Sequence, residues 1–163
     1  LNSFHQFEGF DCDKTPLVMI GHSLGTVIMF NHLWHMQYVR NGHPFETGRT
    51  LAGFMTLGSP LALWTLRQKN FGRPFEFPGD ALDESMKQRA RWLNLYDKDD
   101  VIAYPLKPVN EAFAKVVNED IPVNVGGILD SWNPLSHSAY WEDKTVHQYI
   151  AKFLANLSIQ KAD

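Results

Sequence analysis

One cysteine, Cys12, occurs in the 163 residues of this chain. A lone thiol can form neither an intrachain disulfide framework nor a cysteine-based metal site, so Cys12 reads as a small side chain in a loop. An excess of one charge is lacking as well. The 15 basic and 18 acidic residues are scattered without long runs and leave a net charge of -3. Such a chain carries no electrostatic footprint for nucleic acid, and a small-molecule substrate without strong charge suits it better. No apolar run reaches the roughly 18 residues needed to cross a bilayer, so no transmembrane segment is expected. Leu1 to Phe10 has no basic stretch followed by an apolar one, so no secretory signal is visible. Localisation is thus unmarked, with the cytoplasm as the default, and oligomeric state cannot be read from the composition. There is no internal repeat or low-complexity tract. The first residue is Leu rather than Met, the mark expected of a chain that begins inside a longer polypeptide or after processing.

What is present is core material: 44% of residues are hydrophobic and 13% aromatic, enough for a single domain over residues 1–163. Leu17-Val18-Met19-Ile20, bounded by Pro16 and Gly21, has the pattern of a central strand buried on both faces of a parallel sheet. Leu24 to about Arg40 is apolar around most of its circumference, and Asn41-Gly42 offers a stop, so a mostly buried helix is expected there. Leu51 to Leu57 and Arg91 to Tyr96 read as further strands, and Ile121 to Val125 as a fourth. Val146, Tyr149, Ile150, Phe153, Leu154 and Leu157 recur with helical period and predict a terminal helix packed on the sheet. Strands alternating with helices imply an α/β domain with a mostly parallel sheet and flanking helices. The long stretch 61–90 carries Trp64, Phe71, Phe75 and Phe77 and fits either a decorated surface connection or a cap over a substrate site.

Between the first strand and its helix stands Gly21-His22-Ser23-Leu24-Gly25, a G-x-S-x-G sequence. The expression alone occurs by chance in about one chain in twenty of this length. Its setting, an apolar strand before and a long apolar helix after, is what gives it weight. A serine on such a turn takes strained backbone angles, and small residues are expected two positions to either side, where they would crowd its Cβ. The turn aims the Ser23 hydroxyl away from the sheet. The backbone N–H of Leu24, at the helix N-terminus, points where an oxyanion would form. A serine hydroxyl is barely acidic, so it needs a base, and the base needs an acid to fix its tautomer. Candidates follow in chain order. Asp97-Lys98-Asp99-Asp100 lies at the C-terminal end of the third strand, the edge where ligand chemistry gathers in open α/β sheets. Ser136-His137-Ser138-Ala139-Tyr140-Trp141 lies just before the terminal helix.

With these three segments, and Gly58-Ser59-Pro60 after the second strand, in order, the chain resembles the α/β-hydrolase superfamily, in particular its lipase-like and esterase-like members. There the elbow is commonly G-H-S-x-G, the next strand often ends in G-S-P, the acid loop reads like D-P-V-A-Y-P-L, and the histidine sits in S-H-S-x-Y-W. The counterparts are Gly21 to Gly25, Gly58 to Pro60, Asp100 to Leu106 and Ser136 to Trp141. The resemblance implies an α/β-hydrolase-type fold with Ser23 as nucleophile, Asp100 as acid and His137 as general base. It also implies an acyl-enzyme mechanism on a carboxylic ester, with an apolar acyl chain hinted at by the aromatics of 61–90 and no metal or organic cofactor required. Val101 stands where the family motif has proline, which leaves Asp99 and Asp97 as alternatives to Asp100. A hydrolase of this type has further strands before its elbow and a loop that supplies a second oxyanion N–H. Only Leu1 to Pro16 precede the first strand here, so the chain is expected to be the C-terminal part of such a domain. An acyltransferase using the same triad, and a catalytically silent interaction domain of the same fold, are the alternative functions.

The remaining polar candidates have plainer readings. His22 is expected to support the elbow rather than take a proton. His32 and His35 are three apart on one helix but lack a companion Glu or Cys for a metal. His5, His43 and His147 read as solvated, and Ser59, in Gly-Ser-Pro, as a turn residue.

Overall fold

A computed structural model describes residues 10–39, 42–69, 72–125 and 136–158. Four strands, β1 (Leu17–His22), β2 (Leu51–Leu57), β3 (Arg91–Asp97) and β4 (Glu119–Val123), form one sheet in the order β1-β2-β3-β4. All three pairings are parallel. The helices are α1 (Leu24–Val39), α2 (Leu61–Thr65), α3 (Glu84–Arg89), α4 (Glu111–Val116) and α5 (Lys144–Ser158). Short 3-10 segments occupy Lys107–Val109 and Ser136–Trp141. The class is therefore α/β, with an all-parallel sheet between helices.

Each face of the sheet has its own core. On one, Val27, Phe30 and Leu33 of α1 and Phe113 of α4 pack against Leu51, Phe54 and Trp92. On the other, Val146, Phe153 and Leu157 of α5 pack against Met55, Leu57, Leu95 and Ile121. Every residue of β2 is buried, as a strand covered on both faces and both edges must be. The expectation of a central strand at Leu17–Ile20 needs correcting among the described residues. β1 pairs only with β2 and its apolar residues are half-buried, so the fully covered positions are β2 and β3. Nor is α1 mostly buried: Leu24, Ile28, Trp34 and Tyr38 are exposed, the last two with stacked rings. Of its expected stop, Asn41 lies outside the described residues, while Gly42 has φ 125.

The fourth strand begins two residues earlier than expected and ends at Val123. Its end has a cause: the backbone N–H of Val125 donates to Asp97 Oδ2 at 2.7 Å. In the stretch 61–90, Phe71 lies outside the described residues. Phe75 and Leu82 are core residues, Phe75 stacking on Trp92 with centroids 5.0 Å apart. Reciprocal bonds between the Gln37 side chain and the Glu76 backbone tie the stretch to α1. The Gly79 and Ala81 amides donate to Leu51 and Arg49 carbonyls. From residue 72 to 90 the chain thus runs as a packed crossover, secured by backbone bonds.

Candidate active site

Ser23 sits in the single-residue turn between β1 and α1 with φ 53, the one positive φ at a non-glycine position among the described residues. Such a conformation costs a residue with a Cβ on the order of 1–3 kcal/mol and persists only where its surroundings hold it. Here its N–H donates to the Leu57 carbonyl at 3.0 Å, and its carbonyl accepts from the Thr26 hydroxyl at 2.6 Å. Thr26 has one hydroxyl proton, spent on that carbonyl, so the Ser59 hydroxyl 2.6 Å away must donate to Thr26. Ser59 in turn accepts the Leu61 N–H at 3.2 Å, and is fully buried. Ser59 thus ties the first amide of α2 to the Thr26 hydroxyl that holds the elbow.

The glycines of the motif serve differently from expectation. A Cβ at Gly21 would meet the Met29 methyl, not Ser23, and a Cβ at Gly25 would meet nothing within 4 Å. Gly21 makes room for a side chain of α1; nothing among the described residues requires glycine at Gly25. The Leu24 N–H, in the first turn of α1, is bonded to none of the described residues. It remains available at a helix N-terminus.

His137 arrives from the 3-10 segment ahead of α5. Its Nε2 lies 2.6 Å from Ser23 Oγ and its Nδ1 2.7 Å from Asp100 Oδ2. A carboxylate only accepts, so Nδ1 carries the proton and the Nε2 lone pair faces the serine hydroxyl. Asp100 is 4% exposed. Three donors reach its carboxylate: His137 Nδ1 and the Tyr140 hydroxyl at Oδ2, the latter at 3.2 Å, and the Ile102 N–H at Oδ1, 3.1 Å. Donors at both oxygens fix the carboxylate in orientation.

The other two acids of the loop are placed elsewhere. Asp97 is buried and accepts the backbone N–H groups of Asp99 and Val125. Asp99 is exposed. The loop is seated by Ala103 and Leu106, both buried; Ile102 is half-buried and Val101 is 77% exposed.

His22 points back over the same site. Its Nε2 donates to the His137 carbonyl at 2.6 Å, and its ring lies 4.9 Å from the His137 ring and 5.4 Å from that of Tyr140. Burial pushes the His22 imidazole below its ordinary value of 6.5, outweighing the carbonyl that favours its charged form. Burial likewise raises the Tyr140 phenol, keeping it protonated.

Two contributions were invisible in the motif reading. One is the Tyr140 hydroxyl, whose only signal was the tyrosine of the S-H-S-x-Y-W match. The other is a polar ladder across the sheet. Thr56, Asn94 and Asp120 sit in register on β2, β3 and β4, with Thr56 donating to Asn94 and Asn94 to Asp120. Asn94 also donates to the Tyr104 carbonyl, and Asp120 takes the Leu106 and Lys107 amides. The ladder thereby fastens the far end of the Asp100 loop.

His32, His35, His43 and His147 are exposed, His147 bonding the Trp141 carbonyl, and His5 lies outside the described residues. Among the described residues no group of three His, Cys, Asp or Glu side chains could hold a metal ion, and no helix is long and apolar enough to cross a membrane. No protein-family model, curated protein or solved structure matches the chain, so the chemistry of this site is judged from its residues.

Proposed function

We propose that the chain carries the catalytic centre of a serine ester hydrolase of α/β-hydrolase type. Ser23 is the nucleophile, His137 the general base and acid, Asp100 the residue that orients His137, and the Leu24 N–H an oxyanion donor. The observation that carries this reading is the continuous line Ser23 Oγ, His137 Nε2 and Nδ1, Asp100 Oδ2, with links of 2.6 and 2.7 Å, on a serine in left-handed backbone.

As the Ser23 oxygen attacks an ester carbonyl, its proton passes to His137 Nε2 and the carbonyl electrons move onto oxygen, opposite the Leu24 N–H. Asp100 stabilises the imidazolium that results and stays ionised. His137 then gives the proton to the departing alcohol, leaving an acyl group on Ser23. Water, deprotonated by the same Nε2, attacks that acyl group; the acyl–Ser23 bond breaks as His137 returns the proton to Ser23 Oγ, releasing the acid. No cofactor enters any step. The substrate class is a carboxylic ester.

Hydrolysis of short-chain p-nitrophenyl esters by the intact protein tests the reading. Ser23→Ala should lower kcat by several orders of magnitude with folding unchanged; turnover equal to the unmutated protein would sink the proposal. Running the same assay with added alcohol separates hydrolysis from acyl transfer, because only transfer yields a new ester.

A further inference from the structure

Resting on that triad, we propose that Tyr140 is a positioning residue which holds Asp100 in line with His137 through its hydroxyl. Tyr140 follows His137 by three residues within the 3-10 segment Ser136–Trp141. At three residues per turn, side chains i and i+3 stand on the same side, so both reach one carboxylate. They share an atom: Asp100 Oδ2 accepts from His137 Nδ1 at 2.7 Å and from the Tyr140 hydroxyl at 3.2 Å.

The direction of the tyrosine bond follows from its other partner. The backbone N–H of Asp97 donates to the Tyr140 oxygen at 2.8 Å, so the single phenolic proton is free for Asp100. Tyr140 therefore couples the end of β3 to the acid loop, across the turn that separates Asp97 from Asp100. Its ring is fully buried and has little freedom. It lies against Gly58, where a Cβ would stand 2.7 Å from ring atom Cε2, and beside the His22 ring. Gly58, with φ 53, provides both the turn and the space. The ionisable groups facing this hydroxyl are Asp97, Asp100, His22 and His137.

Without the hydroxyl, Asp100 keeps the Ile102 N–H at Oδ1 but loses the second donor at Oδ2, so the carboxylate can swing off the imidazole. Tyr140→Phe should lower kcat about 10-fold, as expected for one long bond to a charged group, and leave KM within about twofold. The orphaned Asp97 amide should lower Tm by about 3–6 °C. In an Asp100→Asn background Tyr140→Phe should cost less than about twofold more, because it acts through Asp100. 3-Fluorotyrosine at position 140, which keeps ring and hydroxyl, should restore kcat to within about twofold of the unmutated protein.

A kcat unchanged in Tyr140→Phe, or the same loss in both backgrounds, would overturn the inference. A measurement on the unmutated protein decides the matter should the Phe variant not fold. The Tyr140 hydroxyl proton and the His137 Nδ1 proton, bound to one oxygen, should give a nuclear Overhauser cross-peak, and its absence overturns the inference. Fluorophosphonate labelling of Ser23 runs alongside. Labelling with unchanged kcat in Tyr140→Phe defeats this inference alone, whereas no labelling of the unmutated protein defeats the triad and this inference with it.

Discussion

Asp97, Asp99 and Asp100 share one short loop, yet their carboxylates have different partners, and this separates their expected effects. Asp100→Asn turns an acceptor toward His137 into an amide and favours the wrong tautomer, so kcat should fall by up to about 10⁴-fold. Asp99→Asn changes an exposed side chain and should leave kcat within a factor of about two. Asp97→Asn should act mainly on stability, since the Asp97 carboxylate accepts two backbone amides, from Asp99 and Val125, and bonds no triad side chain. Large loss of kcat in Asp99→Asn with activity retained in Asp100→Asn would assign the acid to Asp99. The choice among the three was only partly legible in the sequence. Asp100 was favoured by resemblance, but Val101 in place of the motif's proline left the register open until the side-chain partners of the three acids were seen.

His22 gives a pH dependence of defined sign. Its folded-state value lies below 6.5 because burial disfavours the charged form, so the folded state binds a proton less readily than the unfolded one. Its contribution to stability is intact above about 6.5 and declines as pH falls from there toward the folded value. Tm should fall between pH 7 and pH 5, and His22→Gln should flatten that decline. An equal decline in the variant would place the pH dependence on other groups.

At the scale of elements, the Asp100 loop is held at both ends. Asp97 and Tyr140 secure its start, and the Thr56–Asn94–Asp120 ladder its finish. Asn94 is fully buried, so Asn94→Leu would strand the Thr56 hydroxyl and the Tyr104 carbonyl. We expect a loss of about 2 kcal/mol or more in urea unfolding and a several-fold drop in kcat as the loop loosens. Stability within about 0.5 kcal/mol of the unmutated protein would contradict that role. Strand positions were easy to read because apolar runs such as Leu51–Leu57 are long and sharply bounded. The ladder was not, since each polar residue looks ordinary in its own strand and acquires a partner only through register. β4 was misplaced by two residues because a side chain from another strand, Asp97, takes the amide that would have extended it. The exposed side of α1 carries large apolar residues, Leu24, Ile28, Trp34 and Tyr38, as its buried side does, so periodicity could not tell the two apart.

At the scale of the molecule, the parallel sheet decides where chemistry can gather. The turn after β1, the loop after β3 and the segment before α5 meet at the C-terminal edge of the strands, bringing Ser23, Asp100 and His137 together from positions far apart in sequence. A motif can nominate such residues, but the packing of α5 on the sheet through Val146 and Phe153, and of the preceding 3-10 segment through Tyr140, carries His137 over the elbow. The central claim is that this convergence makes Ser23 a nucleophile. Its most direct test is to expose the intact protein to a fluorophosphonate at neutral pH and locate the adduct by peptide mass spectrometry. The account predicts one adduct, on Ser23, that forms at a strongly reduced rate in His137→Ala and not at all in Ser23→Ala. An unlabelled Ser23, or labelling at Ser23 that proceeds equally fast without His137, would contradict it.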